Sequence, residues 1–253
     1  MAKHNIVNIL EGGSFGSAPG KELMGGLVKY PSGLWAKCPM VYAPSHALRI
    51  VEDFEKPWVT TEWTITTVEA GSSSATEATS DAQGGVLVLT NDAADDDADQ
   101  IQYVNEVFKF TAGNPLWFEA RAKLSVTTNV DMAIGLIAAE DLTAVADNMP
   151  ADGCVWKKDD GDTNLDFASC KNGTNDTTNA LGTLDTNWHK YGFYFDGDGT
   201  IRFYLDGVGV GVAVTTLCDD EELAFFAMVR NGVITVQTAL SIDYFAGVQV
   251  LLR

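Results

Sequence analysis

The chain has 253 residues, of which 46% are hydrophobic and 20% charged, a composition ordinary for a globular protein with an ample core. Lys and Arg number 16 against 35 Asp and Glu, so the formal net charge is −19. That charge disfavours direct binding to nucleic acid or to an anionic membrane. No window approaches the roughly 20 apolar residues of a membrane helix, and the N-terminus predicts no secretory signal. We therefore expect reduced thiols at the four cysteines, Cys38, Cys154, Cys170 and Cys218.

Residues 1–49 predict an extended arm rather than part of a strand-rich domain. Glycines and prolines interrupt the segment throughout, and its hydrophobic periodicity is poor. The segment is nevertheless too apolar for a solvated tail. We expect it to lie along its own domain, a neighbouring subunit or a larger assembly.

From Ile50 onward, strand patterns alternate with turn signals almost to the C-terminus. Ala70–Gln83 and Asn91–Gln100 read as loops, and Asp141–Asn148 is the one plausible helical turn. Asp131–Ala138 is continuously apolar, as expected for a strand covered on both faces. The other predicted strands are Glu62–Val68, Gly85–Thr90, Ile101–Phe110, Leu116–Val126, Gly153–Lys158, Leu165–Lys171, Ala224–Val229 and Leu240–Leu252.

The clearest local signal is the segment Trp188–Gly207, WHKYGFYFDGDGTIRFYLDG. Two alternating aromatic runs flank the turn Asp196–Gly199, and this pattern predicts a β-hairpin with one large apolar face. A hairpin of this kind needs a second sheet over that face. Because the chain predicts about a dozen strands and no crossover helices, we expect an all-β, two-sheet antiparallel sandwich.

This order of motifs resembles the concanavalin A-like (laminin-G-like) jelly roll. The resemblance covers roughly residues 50–253 and rests on the following phrases: GVLVLT, LWFEARAKLSV, DMAIGL, GCVWKKDDGDTNLDFASCKNGT, WHKYGFYFDGDGTIRFYLDG and LSIDYFAGVQV. It implies a jelly-roll domain at 50–253 preceded by the arm. That fold hosts lectins, glycosidases, adhesion modules and viral shell proteins, so it does not by itself define a function.

Glycoside hydrolysis would require a pair of carboxyl groups at a defined spacing. Laminarinase-type members of the superfamily carry Glu-x-Asp-x-x-Glu on a strand, and the motif is missing here. Glu119 reads as the partner of Arg121 in an ion pair, and Asp131 stands alone on its strand. The sequence therefore predicts that the chain is not an enzyme.

Each of the remaining candidate binding or reactive sites can also be explained by a purely structural role. Calcium could be bound by the acidic loop containing Asp92, Asp95, Asp96, Asp97 and Asp99, but its spacing matches no recognised motif and solvated turn acids are favoured. Trp58, Trp63, Trp117 and Trp156 are possible sugar platforms, although core packing uses such residues more often. His189 is expected to be structural. Cys154 and Cys170 could face each other across a hairpin, with buried free thiols favoured.

Within the superfamily, the phrases KKDDGDTNLDF and FYFDGDGTIRFYLDG resemble those of tailed-phage virion proteins, including capsid decoration (cement) proteins. The resemblance implies a structural protein on the capsid surface, assembled in the host cytoplasm. It would bind the major capsid protein and neighbouring copies of itself, as a homotrimer and without cofactors, catalytic residues or metal. The arm would supply the partner contacts through Leu27, Tyr30, Trp35 and Tyr42. The alternative is a carbohydrate-binding, lectin-like module of a tail fibre or adhesin.

Overall fold

A computed structural model describes residues 22–23, 27–28, 33–38, 46–55, 61–68, 76–80, 84–143, 149–212, 216–232 and 237–251. These residues form strands and one short 3-10 helix at Leu34–Lys37. The strands of the first part of the chain are β1 (Glu22–Leu23), β2 (Leu27–Val28), β3 (Ala47–Glu52), β4 (Trp63–Val68), β5 (Thr76–Ser80), β6 (Val86–Thr90), β7 (Ala98–Tyr103), β8 (Leu116–Leu124) and β9 (Val130–Ile137). The remainder are β10 (Gly153–Lys158), β11 (Asn164–Lys171), β12 (Thr174–Thr183), β13 (His189–Phe195), β14 (Ile201–Leu205), β15 (Val208–Val212), β16 (Ala224–Asn231) and β17 (Ala239–Val250).

The strands form two antiparallel sheets that enclose the core. The seven-stranded sheet has the order β12-β11-β10-β9-β16-β7-β4, and the eight-stranded sheet has the order β15-β14-β13-β8-β17-β6-β5. Strand β3 joins the second sheet by pairing with β17. The predicted all-β, two-sheet sandwich is therefore confirmed.

Period-2 alternation decides which side chains enter the core. On β8, Phe118, Ala120 and Leu124 are buried between the sheets, as their shared parity predicts. Strand β9 is buried on both faces: Ile134 belongs to the central core, whereas Ala133 belongs to a second apolar cluster outside the sheet. The prediction of a strand covered on both sides is confirmed.

The hairpin predicted at Trp188–Gly207 is confirmed as β13 and β14. Phe193 lies opposite Phe203 in register, and both side chains face the core. Phe203 stacks on Phe167 of the other sheet with a ring-centroid separation of 4.1 Å. The indole Nε1 of Trp156 donates a hydrogen bond across the sandwich to the Gly192 carbonyl at 3.2 Å. These contacts tie the hairpin to the opposite sheet.

Several strands differ from the predictions at their ends or were missed. Strand β5 lies inside the segment predicted to be a loop, and β12 and β15 carry no strand prediction. All three sit at or beside a sheet edge, where one side of the strand does not need an apolar face. The strand predicted over Ile101–Phe110 ends at Tyr103.

The part of the arm that the structure describes lies against the domain. Leu34 is 3% exposed and packs with Trp117, Tyr194 and Val248 on the outer face of the eight-stranded sheet. Trp35 is half-buried against the same cluster. Of the other predicted contact residues, Leu27 lies in β2, whereas Tyr30 and Tyr42 lie outside the described residues. No helix in the described part of the chain is long and apolar enough to cross a membrane.

The cysteines are free thiols, as predicted, and Cys154, Cys170 and Cys218 are buried. Cys154 lies opposite Ser169, and Cys170 lies opposite Gly153. The offset of one residue points the two thiols to opposite faces of the sheet. Cys154 and Cys170 therefore do not face each other across the hairpin.

Candidate functional site

The outer face of the seven-stranded sheet is apolar at its centre and covered by a chain segment. Phe226 and Met228 lie in a buried cluster with Leu142, and Met149 packs against it. The covering segment is fixed by the outward-facing Gln100 of β7. Its Nε2 donates to the Glu140 carbonyl at 2.7 Å, and its Oε1 accepts the N–H of Leu142 at 2.8 Å.

A buried ion pair lies beside this apolar centre. Arg230 on β16 is the register partner of Asp131 on β9, and its Nε and Nη2 lie 2.8 and 2.6 Å from Asp131 Oδ2. Asp131 Oδ1 also accepts the N–H of Asp160 at 2.6 Å. Asp131, which seemed isolated in the sequence, thus has a structural partner from a strand almost a hundred residues away.

Next to the ion pair, two carboxyl groups flank a lysine; we call Lys157, Asp159 and Asp166 the acid–lysine cluster. Lys157 Nζ contacts both carboxylate oxygens of Asp159, at 2.8 and 2.6 Å. Asp166 lies opposite Lys157 in register and accepts the N–H of Ala180 at 2.8 Å. Burial raises the pKa of the Asp166 carboxyl, against the effect of Lys157. One carboxylate is therefore ion-paired, and the other is biased toward its protonated form.

The acid–lysine cluster combines shielded and accessible groups. Lys157 is 4% and Asp166 7% exposed, whereas the Asp159 side chain retains 36% exposure. Asp159 stands at the end of β10, where the turn toward β11 begins. Solvent can therefore reach one carboxylate while the other stays largely desolvated. The sequence indicated only turn formation for Asp159 and gave no signal for Asp166.

The outer face of the eight-stranded sheet carries a second polar group of residues. The Tyr244 hydroxyl donates to Glu119 at 2.7 Å, and Arg121 forms an ion pair with Asp243. The predicted ion pair between Glu119 and Arg121 is therefore wrong. A register irregularity in β17 between Ile242 and Tyr244 inserts Asp243 at this point, and such a bulge re-aims a side chain.

Trp188 lies over this polar group. The centroid of its ring is 4.6 Å from the Arg121 guanidinium carbon and 5.0 Å from Lys123 Nζ. The residue is only half-buried, so part of its ring is accessible. Trp63, Trp117 and Trp156 are 3%, 2% and 0% exposed and serve packing rather than sugar contact, and Trp58 lies outside the described residues.

His189 lies between two aspartates, which agrees with its predicted structural role. Its Nδ1 is 2.8 Å from Asp206 Oδ2, and its Nε2 is 3.0 Å from Asp185 Oδ1. Burial lowers the pKa of the imidazole, but the hydrogen bonds to the two aspartates outweigh burial and leave the pKa above its usual value. The turn acid Asp196 is likewise structural, since its Oδ1 accepts the N–H of Asp198 at 2.8 Å.

One group of side chains in the described residues has the spacing of a metal site. Ligand atoms of Asp152, Cys218 and Asp220 lie within 4.8 Å of one another. Burial raises the pKa of the Cys218 thiol to about 12, which keeps it protonated. Asn172 already donates to Asp152 and Asp220, at 2.7 and 3.0 Å. Turn closure accounts for this group without a metal.

Comparisons with known proteins define the fold. No family model and no curated protein matches the sequence. An endo-1,3-beta-glucanase from Streptomyces sioyaensis superposes with a TM-score of 0.58 at 16% identity, over 85% of this chain and 100% of that one. A lichenase from a mouse hindgut metagenome gives 0.56 at 12% identity, over 78% and 97%. A Bacillus licheniformis beta-glucanase gives 0.55 at 14% identity, over 81% and 98%. The fold is the concanavalin A-like jelly roll, as the sequence predicted.

The same comparisons correct two predictions about function. The interpretation as a phage capsid decoration protein is wrong, because these solved structures with the same fold are glucan-hydrolysing enzymes. The prediction that the chain is not an enzyme is contradicted for the same reason. The prediction relied on the absence of a motif that lies on a single strand. That absence does not exclude a pair of carboxyl groups brought together from different strands.

Proposed function

We propose that this protein hydrolyses a β-linked glucan at the acid–lysine cluster. The observation that carries the proposal is the presence of two carboxyl groups in contrasting environments on either side of Lys157. Glycosidases use one carboxyl group as a general acid and another as a base or nucleophile, and their environments separate the two roles. The substrate class is an analogy with proteins of the same fold.

Asp166 is the general acid in this proposal. Its carboxyl is largely withdrawn from water and its pKa is raised by burial. A carboxyl group that holds its proton closer to neutral pH can donate it to the leaving glycosidic oxygen. The hydrogen bond from Ala180 N–H, at 2.8 Å, fixes the orientation of Oδ1 and leaves Oδ2 as the oxygen that carries the proton.

Asp159 is the general base. It is ion-paired with Lys157, and its exposure allows a water molecule to approach. Asp159 follows Lys157 by two residues and lies just beyond the last registered pair of the β10–β11 ladder, Lys157 with Asp166. We infer an inverting mechanism, in which the carboxyl groups are about 6.5–9.5 Å apart and a water molecule lies between them.

The test is an assay of the full chain on laminarin, barley β-glucan and a cellulose derivative. We expect reducing ends to appear with at least one of them, and proton NMR of the first product should detect inversion at the anomeric carbon. Asp166→Asn and Asp159→Asn should each reduce kcat by about 10²–10⁴-fold. Asp198→Asn removes a carboxylate from the other Gly/Asp turn and should leave the rate unchanged.

Two results would refute the proposal. The first is no hydrolysis of any of the three glucans by the wild-type chain. The second is hydrolysis that Asp166→Asn leaves intact, which would place the chemistry elsewhere. Near-ultraviolet circular dichroism of each variant separates loss of a catalytic group from loss of the fold.

Glucan binding without hydrolysis is a second candidate, and Trp188 favours it. A half-exposed indole beside polar side chains is the usual contact surface for a sugar ring, because its apolar face packs on the ring and its neighbours supply hydrogen bonds. Trp188→Ala should then abolish retention on insoluble β-glucan, while Asp166→Asn should not. If Trp188→Ala is retained on insoluble β-glucan as strongly as Asp166→Asn, the surface around Trp188 is not the glucan-binding site.

A further inference from the structure

Strand β10 ends with two lysines whose side chains lie on opposite faces of the seven-stranded sheet. Lys157 belongs to the acid–lysine cluster on the outer face, whereas Lys158 has the parity of Trp156, which lies in the central core. Lys158 is 1% exposed and is one of the largest fully buried side chains among the described residues. A lysine at this depth is rare, because its ammonium group must give up its hydration.

Backbone carbonyls hold the ammonium group of Lys158. Its Nζ donates to the carbonyl of Val130, the first residue of β9, at 2.8 Å, and to the carbonyl of Asp159 at 2.9 Å. Burial lowers the pKa of Lys158, and the surrounding aspartates, Asp131 foremost, oppose that shift. A charge placed in this way costs stability relative to an apolar side chain.

The contact with Asp159 fixes the start of the turn between β10 and β11. The same Asp159 carbonyl accepts the N–H of Asp162 at 3.1 Å, which closes the turn. The next residue, Asp160, donates its N–H to Asp131 Oδ1 on β9 at 2.6 Å. Lys158 therefore ties the turn to β9 from the core side of the sheet, while Asp160 ties it to β9 from the outer face.

We propose that Lys158 is a positioning residue for Asp159, the general base, and this inference rests on the proposed function. Lys157 contacts the carboxylate of Asp159 on the outer face, and Lys158 holds the backbone of the same residue from the core. Because Val130 is part of β9, this contact fixes Asp159 relative to the sheet that carries Asp166. A base that activates water depends on such placement, since a displacement of about 1 Å can cost about 10²-fold in rate.

The experiment measures kcat and KM of the full chain on the glucan that the wild type hydrolyses fastest, together with the unfolding temperature. Lys158→Met keeps most of the side-chain length and removes the ammonium group. We expect kcat to fall about 10²-fold because Asp159 is displaced, while KM stays within about threefold of the wild-type value. The unfolding temperature should stay near the wild-type value or rise, since removal of a buried charge offsets the loss of two hydrogen bonds.

A positioning role also predicts that the effect disappears without the base. In an Asp159→Asn background, Lys158→Met should cause no further loss of kcat, because no base remains to be placed. A purely structural role predicts instead that Lys158→Met lowers the rate by the same factor in both backgrounds. Lys171→Met is the matched control, since it removes a lysine at the opposite end of the β10–β11 pair, where Lys171 forms an ion pair with Asp219. Its kcat should equal that of the wild type.

The outcomes separate the positioning role of Lys158 from the proposed function. No hydrolysis by the wild type, or full activity of Asp159→Asn, overturns the proposed roles of both residues. If the wild type hydrolyses a glucan and needs Asp159, an unchanged kcat for Lys158→Met refutes only the positioning role. A further loss of kcat in the double variant refutes it as well.

Discussion

Removing Arg230 should be among the most costly single substitutions on the outer face of the seven-stranded sheet. Arg230→Met keeps most of the side-chain length and loses the charge. The pair is buried, with side-chain exposures of 8% for Arg230 and 5% for Asp131. Asp131 would keep the N–H of Asp160 at 2.6 Å, but its charge would lose the guanidinium at 2.6–2.8 Å. Breaking one side of a buried pair costs about 3–5 kcal/mol.

Urea denaturation of the wild type, Arg230→Met, Asp131→Leu and the double variant measures this cost. The double variant leaves neither charge of the Arg230–Asp131 pair behind, and replacing a whole buried pair with apolar side chains is often neutral. We therefore expect it to recover most of the stability that each single variant loses, which gives a large coupling energy in the double-mutant cycle. A loss below about 1 kcal/mol for Arg230→Met, or additive single effects, would refute the reasoning.

Two further predictions concern the core and the hydrogen-bonded histidine. A Cβ on Gly247 would lie 2.4 Å from the Phe108 ring, so Gly247→Ala should destabilise by about 1–3 kcal/mol through overpacking. Gly161 has a φ of +74°, but an added Cβ would meet open space. Gly161→Ala should therefore lower the free energy of unfolding by less than Gly247→Ala in the same urea assay. A larger loss for Gly161→Ala would contradict the packing argument. The pKa of His189 is raised in the folded state, so its contribution is complete below an unfolded pKa of about 6.5 and is lost as pH rises through the folded value. His189→Gln should flatten the decline in unfolding free energy above about pH 6.5, and an unchanged slope would exclude the histidine as its source.

The sequence predicts the fold well where strands have one apolar face. The inward residues of β8 and of the β13–β14 hairpin repeat with period two, and they lie in the core as predicted. Strand β12, by contrast, reads TNDTTNALGT and none of its residues is buried. An edge strand gains its order mainly from backbone pairing with its neighbour, and backbone pairing leaves no apolar pattern to detect.

The candidate site could not be predicted in the same way, because it depends on register and burial. Asp159 and Asp166 flank Lys157 only because the β10–β11 hairpin pairs Lys157 with Asp166. A change of one residue in that register would turn Asp166 into the core. The pKa of Asp166 is raised by burial, which no local pattern encodes. The misassigned partner of Arg121 has a similar origin, since a β-bulge in a distant strand supplies Asp243.

The covered centre of the outer face predicts how a glucan would be cut. Leu142 lies in the apolar cluster at the middle of the seven-stranded sheet, and Met149 packs against it, so a long polysaccharide cannot lie straight across the sheet. The substrate would then reach Asp159 and Asp166 from the end of the sheet where β10 turns into β11. We therefore expect short oligosaccharides to be released near chain ends from the first minutes of reaction, with little early loss of viscosity. Chromatography of early products together with viscometry measures this. A rapid fall in viscosity with long products would mean that the chain is cut internally, and the substrate would then have to bind across another face of the sandwich.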